Sequence, residues 1–262
     1  MKQNHIIQTL FLALIIISFT ASTPAQVVES LMEKTARAEK INNRGVAAIE
    51  AGNFAEAVKL LREAIGLRPD YTIAYGNLGA ALYRTGQFDD AMTALKKAIE
   101  LKSDYAEDYS KLGAIYAERG RNDEAVALFK RAIELQPDFA PAHYNLGCLY
   151  NRLRKFKEAV ASLELAVQIE PKNATTRFEL SYALMNRKKY DAAIAQLEQS
   201  VALQPQNADA QYFLGQLYLL KRDKQSAQIQ YRKIAALDPT LAKKLYAAMY
   251  ANLLVAADET KK

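Results

Sequence analysis

The chain of 262 residues has no tryptophan, a single cysteine and two histidines. Cys148 has nothing to pair with inside the chain, so the fold cannot lean on an internal disulfide. So few thiols and imidazoles leave no His/Cys cluster at metal-ligand spacing, and neither a metal nor another cofactor is expected. Glycine and proline are also scarce, at 10 and 7 residues, and no glycine-rich phosphate loop follows a strand-like run. Half of the residues are apolar and 24% are charged, with Ala and Leu dominant, which is the composition of an all-helical protein. The formal net charge of +6 is a mild surplus that bears on solubility and leaves the fold open.

The same scarcity argues against catalysis. His143 and Cys148 sit on one helical stretch, but five positions separate them by about 140° around the axis, so they do not form a base and nucleophile pair. His143 reads as a packing residue and Cys148 as a small groove-facing hydrophobe. No enzyme activity is expected from groups of this kind.

The N-terminus carries an address. Lys2 precedes an apolar stretch from Leu10 to Ile17, and Thr23-Pro24-Ala25 places small residues where a signal peptidase reads. Residues 1–25 are therefore expected to be a cleaved secretory signal that leaves Gln26 first, with an uncleaved anchor as the alternative. Either way the remainder would be periplasmic or secreted. That setting disfavours nucleic acid as a partner.

A strict period then organises the chain. Pro137, Pro171, Pro205 and Pro239 fall 34 residues apart, as do Gly45, Gly79, Gly113 and Gly147, while Ala57, Ala91, Ala125, Ala159, Ala193 and Ala227 keep the clock throughout. Six units follow without insertion: 38–71, 72–105, 106–139, 140–173, 174–207 and 208–241. Each reads as two antiparallel helices. In the third, Tyr109, Leu112 and Tyr116 share one face, and after Arg119-Gly120-Arg121 come Ala125, Leu128, Phe129 and Ala132 before Pro137 stops the helix. Gly113 and Ala125 are expected to let the paired helices approach closely. One hairpin cannot bury both of its faces, so stability must come from stacking, and the ends need caps.

On Leu112, Gly113, Tyr116, Ala125, Phe129, Ala132 and Pro137, and their equivalents in the other units, residues 38–241 resemble the tetratricopeptide repeat (TPR) family. The resemblance implies an all-α fold, a right-handed superhelical solenoid of six tandem helix-turn-helix repeats whose first helices line a concave groove. Residues 26–37, with Val27, Val28, Leu31 and Met32, are expected to form a short N-terminal capping helix or linker. Residues 242–257 would form a C-terminal capping helix, and 258–262 a tail. The outer face of that last helix, with Tyr246, Tyr250, Leu253 and Leu254, suggests a homodimer contact as readily as a greasy cap.

Two sets of residues are candidates for recognition. In relatives that bind extended peptides, an asparagine before the Leu-Gly pair hydrogen-bonds the ligand backbone, and Asn43, Asn77 and Asn145 hold that position here. Lys111, Glu179 and Phe213 interrupt the ladder, so a framework role stays open beside a binding role. Units four to six place Tyr144, Phe178, Tyr182, Tyr212 and Phe213 on the same wall, where an aromatic half-groove would stack on apolar side chains or prolines of a peptide; inter-repeat packing is the competing reading. The second set is a basic ridge at the turns within those units: Arg152, Arg154, Lys155 and Lys157; Arg187, Lys188 and Lys189; Lys221, Arg222 and Lys224. Units one to three have Gly52, Gly86 and Gly120 at the turn where Arg154, Lys188 and Arg222 stand later, and a left-handed backbone there would cost about 1 kcal/mol per exchange. The sequence thus points to an extracytoplasmic scaffold or adaptor that holds an extended segment of a protein or peptide partner. The alternative is an envelope assembly factor that self-associates through its last helix or meets an anionic membrane surface by its ridge.

Overall fold

The computed structural model describes residues 24–101 and 105–259, with side chains at 28–101 and 105–250; the expected signal segment up to residue 23 lies outside the described residues. Every regular element among them is a helix. In chain order these are α1 (Pro24–Glu50), α2 (Phe54–Leu67), α3 (Thr72–Arg84), α4 (Phe88–Leu101), α5 (Ala106–Glu118), α6 (Asn122–Leu135), α7 (Ala140–Arg152), α8 (Phe156–Ile169), α9 (Ala174–Asn186), α10 (Tyr190–Leu203), α11 (Ala208–Leu220), α12 (Lys224–Leu237) and α13 (Pro239–Glu259). Helices pair as the period predicts, α1 with α2 through α11 with α12, and the result is an all-α helical repeat solenoid. The chain divides into two compact units, one ending at Ser103 and one beginning at Asp104.

In the first unit, α1, α2 and α3 bury Ala38, Ile41, Leu60, Ala64, Tyr71 and Ala74 in one cluster. The second unit repeats this arrangement, with Ala106, Ala132 and Ala142 meeting between α5, α6 and α7. The small residue of each first helix works through the side chain opposite it. A Cβ on Gly113 would come to 2.8 Å from the Phe129 ring, and one on Gly45 to 2.8 Å from Leu61. The glycines therefore leave room for the large residue of the second helix, and Ala125 is buried close by. In the last unit Leu245 of α13 covers Gly215 instead, so the C-terminal helix docks as a cap through Ala242 and Leu245 onto Ile234.

Two ends differ from expectation. Residues 26–37 form no separate cap, because α1 runs unbroken from Pro24 to Glu50. No glycine or proline interrupts Glu33-Lys34-Thr35-Ala36-Arg37, so a helix started there propagates into the first repeat. Among its described side chains the first buried one is Ala38, and Met32 stays 68% exposed. At the other end α13 begins at Pro239, inside the last repeat, where the Asp238 carboxylate caps it by accepting from the amides of Thr240 and Leu241.

All six turns within the hairpins close in the same way. The second residue after the helix has positive φ, and the next amide reaches back five residues: Asn53 N to Ala48 O at 2.8 Å, Lys155 N to Tyr150 O at 2.9 Å, Asp223 N to Tyr218 O at 2.8 Å. This pattern requires a left-handed residue. Gly52, Gly86 and Gly120 take it at φ 74–77°, and Arg154, Lys188 and Arg222 take it at φ 58–62°, where a Cβ is strained.

Three junctions in the second unit carry a device that periodicity does not reveal. His143, Arg177 and Gln211 occupy one register position, where the earlier repeats have Ile41, Tyr75 and Tyr109. His143 Nε2 donates to the Pro137 carbonyl at 2.8 Å, Arg177 donates twice to the Pro171 carbonyl at 2.7 and 3.0 Å, and Gln211 Nε2 donates to the Pro205 carbonyl. Each clips a first helix to the loop before it. His143 is thus a structural residue, as its position in the repeat suggested.

Candidate functional site

Within the second unit α7 approaches both α5 and α9, whereas among the described residues no comparably close approach joins α6 to α8, α8 to α10 or α10 to α12. These neighbouring first helices share one face of each unit. In the first unit α1 and α3 stand in the same relation. The candidate recognition residues Asn43, Asn77, Tyr144, Asn145, Phe178, Tyr182, Tyr212 and Phe213 all lie on first helices.

The asparagines are mostly engaged with neighbouring repeats. Asn77 Nδ2 donates to Asn42 Oδ1 at 3.1 Å, and Asn42, which is buried, donates in turn toward Asn43 Oδ1 at 3.4 Å. Asn145 Nδ2 donates to Ser110 Oγ at 3.3 Å. Asn43 is exposed, and Asn77 and Asn145 are half-buried. The same register in other repeats is also occupied: Lys111 pairs with Glu107 at 2.9 Å, and Glu179 accepts from Asn151 Nδ2 at 3.0 Å. The Lys111–Glu107 pair lies within α5, whereas the asparagine contacts to Asn42, Ser110 and Glu179 tie one layer to the next, and Asn42 and Ser110, one position earlier, are the partners that a search for asparagines overlooks.

The aromatic residues gather. Phe178 and Phe213 meet edge to face at 5.6 Å, and Tyr182 and Tyr212 flank Phe213 at 6.4 and 5.9 Å. Phe156, from the start of α8, joins through Tyr182 at 6.2 Å. Every ring is half-buried. Edge contacts between rings leave part of each face open, so the cluster is at once the packing between α9 and α11 and a surface for a ligand. Tyr144 stands apart from these rings. Burial, then its hydrogen-bonded neighbour Cys148, pushes its phenol above the usual range.

Cys148, Asn151, Arg152, Arg154, Glu179, Tyr182 and Asn186 surround an open recess of about 390 Å³ beside the rings. Burial and the nearby Glu179 carboxylate raise the Cys148 thiol to about 12. A thiol held neutral is a poor nucleophile. Iodoacetamide at pH 8 is expected to leave Cys148 unmodified in the folded chain over hours and to alkylate it quickly in denaturant; rapid reaction of the native protein would contradict this environment. Among the described residues no group of three or more His, Cys, Asp and Glu side chains gathers as metal ligands would.

All ten ridge residues are exposed. Two are used internally: Arg152 Nη2 donates to the Ala117 carbonyl at 2.6 Å and to Asn122 Oδ1 at 3.3 Å, and Lys221 pairs with Asp191 at 2.8 Å. Both contacts link one hairpin turn to the preceding hairpin, so consecutive turns lie side by side along one edge. Arg154 lies 6.0 Å from the Phe156 ring.

Models of the tetratricopeptide repeat match residues 48–115, 140–173 and 178–242, and a TPR repeat model matches 113–153. No curated protein matches the sequence. Among solved structures the chain is similar to YrrB, described as a TPR protein with an unusual peptide-binding site, at 26% identity and a TM-score of 0.61, over 71% of this chain and 97% of that one. It is similar to PilF of Pseudomonas aeruginosa with a TM-score of 0.75 at 19% identity, over 82% and 99% of the two chains. MamA of Desulfovibrio magneticus RS-1 gives 0.59 at 23%, over 64% and 96%. The last two likenesses concern the fold alone.

Proposed function

Because the chain belongs to the tetratricopeptide repeat family, whose fold serves as a scaffold for protein interactions, we propose that it is an extracytoplasmic adaptor that holds an extended peptide segment of a partner against the first helices of its second unit. The observation that carries this reading is the cluster of Phe178, Tyr182, Tyr212 and Phe213, four half-buried rings on first helices beside an open recess. Packing two layers together needs large apolar side chains, and aliphatic residues would satisfy it; edge-on rings with accessible faces add sites for proline or apolar side chains. YrrB, described as a TPR protein with an unusual peptide-binding site, supports a peptide as the class of ligand. The extracytoplasmic setting rests on Lys2, Leu10–Ile17 and Ala25.

A displayed library of random 12-residue peptides tests the groove. Selection against the full chain should enrich peptides containing proline and aromatic or aliphatic residues. The triple variant Tyr144→Ala, Tyr182→Ala, Tyr212→Ala should bind those peptides at least about 30-fold more weakly, since two or three contact aromatics carry roughly 1 kcal/mol or more each. A helical circular dichroism spectrum equal to that of the parent keeps the comparison valid. Unchanged binding by the triple variant would rule out the aromatic wall.

A further inference from the structure

The edge formed by the last three hairpin turns is unlike its counterpart in the earlier repeats. Arg154, Lys188 and Arg222 occupy the left-handed position that glycine fills at 52, 86 and 120. Their side chains are exposed, and no ion pair engages them among the described residues. A residue at the tip of a hairpin is the outermost point of its layer, and Lys155, Lys189 and Lys224 stand close behind each tip. Arg152 and Lys221 bind back onto the preceding hairpin, which brings successive tips into a row. Strain that recurs three times, always under a basic side chain, is not needed to close the turn, because glycine closes the same turn elsewhere in this chain.

We propose that this row of tips is a docking edge for an anionic lipid bilayer. The shape selects a surface over a chain: projecting tips can meet a plane but cannot wrap an acidic polypeptide, whereas the face of first helices can hold one. The chemistry agrees, since lysines outnumber arginines along the ridge, and a lysine ammonium suits diffuse attraction to a charged surface better than bidentate recognition of one carboxylate. Leu220, 61% exposed and directly before Lys221 and Arg222, supplies an apolar contact for the headgroup boundary. This edge adjoins the ring cluster at its first tip, where Arg152 and Arg154 line the recess with Tyr182.

Sedimentation of the full chain with vesicles tests the proposal. Vesicles of phosphatidylcholine alone report whatever the N-terminal apolar segment contributes, and vesicles with one-third phosphatidylglycerol report the ridge. The chain should bind the anionic vesicles more tightly, and the difference should fade as salt rises. The variant Arg154→Gly, Lys188→Gly, Arg222→Gly should lose on the order of 100-fold of that difference while remaining fully folded. Removing three charges elsewhere, by Lys172→Gln, Arg232→Gln and Lys233→Gln, should leave most of it. Equal binding to both vesicle types, equal binding by the glycine variant, or an equal loss in the control variant would overturn the proposal. So would displacement from anionic vesicles by polyglutamate at matched charge, which would assign the edge to an acidic polypeptide.

Discussion

Replacing Arg154, Lys188 and Arg222 together by glycine is expected to raise the stability of the second unit by about 3 kcal/mol. All three sit at φ 58–62°, in the region where a Cβ crowds the following carbonyl. That crowding costs about 1–2 kcal/mol, and glycine returns part of it, roughly 0.5 kcal/mol, through the greater freedom of the unfolded chain. The net gain is about 1 kcal/mol per site. It should be smallest at Arg154, whose guanidinium lies 6.0 Å from the Phe156 ring, a contact worth about 0.5 kcal/mol at an exposed site. Lys188 and Arg222 should return their full share. The turns themselves are preserved, since Gly52, Gly86 and Gly120 make the same backbone bonds at φ 74–77°. Thermal melts of the three single variants and the triple variant check this, and a triple variant no more stable than its parent would mean that the basic side chains stabilise the turns. Read with vesicle binding, the result has a second use: a protein that grows more stable as it loses its membrane contact keeps those residues for the contact.

The second large effect comes from Asp108. It sits in α5 at the register of Ala74, Ala142, Thr176 and Ala210, is fully buried, and neither carboxylate oxygen has a hydrogen-bond partner among the described residues. Burial raises it to about 6, with Lys111 pulling the other way and Glu107 adding to the rise. A carboxyl that titrates higher in the folded chain than in the unfolded one keeps its proton longer when folded. Its contribution to stability is fully present below about pH 4 and is lost as the pH climbs through about 6. At pH 7 the penalty is about 3 kcal/mol. Asp108→Ala, which copies the other repeats, should therefore stabilise the chain by about that much at pH 7, and by about half as much at pH 5, where the parent's carboxyl is largely protonated. Asp108→Asn should recover less, because it removes the charge and leaves a buried polar group. Denaturant melts at the two pH values decide it, and an advantage for Asp108→Ala that is absent, or larger at pH 5 than at pH 7, would contradict this account.

Much of the architecture was legible in the sequence because each repeat must solve the same packing problem. A second helix that places Leu61, Leu95, Phe129 or Leu163 against the first demands a small residue opposite, and that demand recurs as Gly45, Gly79, Gly113 and Gly147. The left-handed turns were legible for the same reason, since glycine at three of six equivalent positions exposed the backbone requirement under Arg154, Lys188 and Arg222. Other features depend on how one layer sits on the next, which no single helical pattern encodes. Asn77 and Asn145 read as groove donors until stacking brings Asn42 and Ser110 within reach of their amides. The proline clips of His143, Arg177 and Gln211 had a faint signal, three hydrogen-bond donors in succession where aromatic or aliphatic residues stood before, but their acceptors are backbone carbonyls and leave no trace in composition. The course of the N-terminal segment was not legible, because Val28, Leu31 and Met32 form an apolar stripe, and a stripe alone does not say whether anything covers it.

In the function proposed, a peptide lies along the first helices of the second unit. Amide hydrogen exchange of the full chain, with and without a selected peptide, tests it most directly. Protection should rise along α7, α9 and α11, around Tyr144, Phe178 to Tyr182, and Tyr212 to Phe213, while α1 and α3 keep their rates. Protection confined to α1 and α3, or to the hairpin turns, would contradict it.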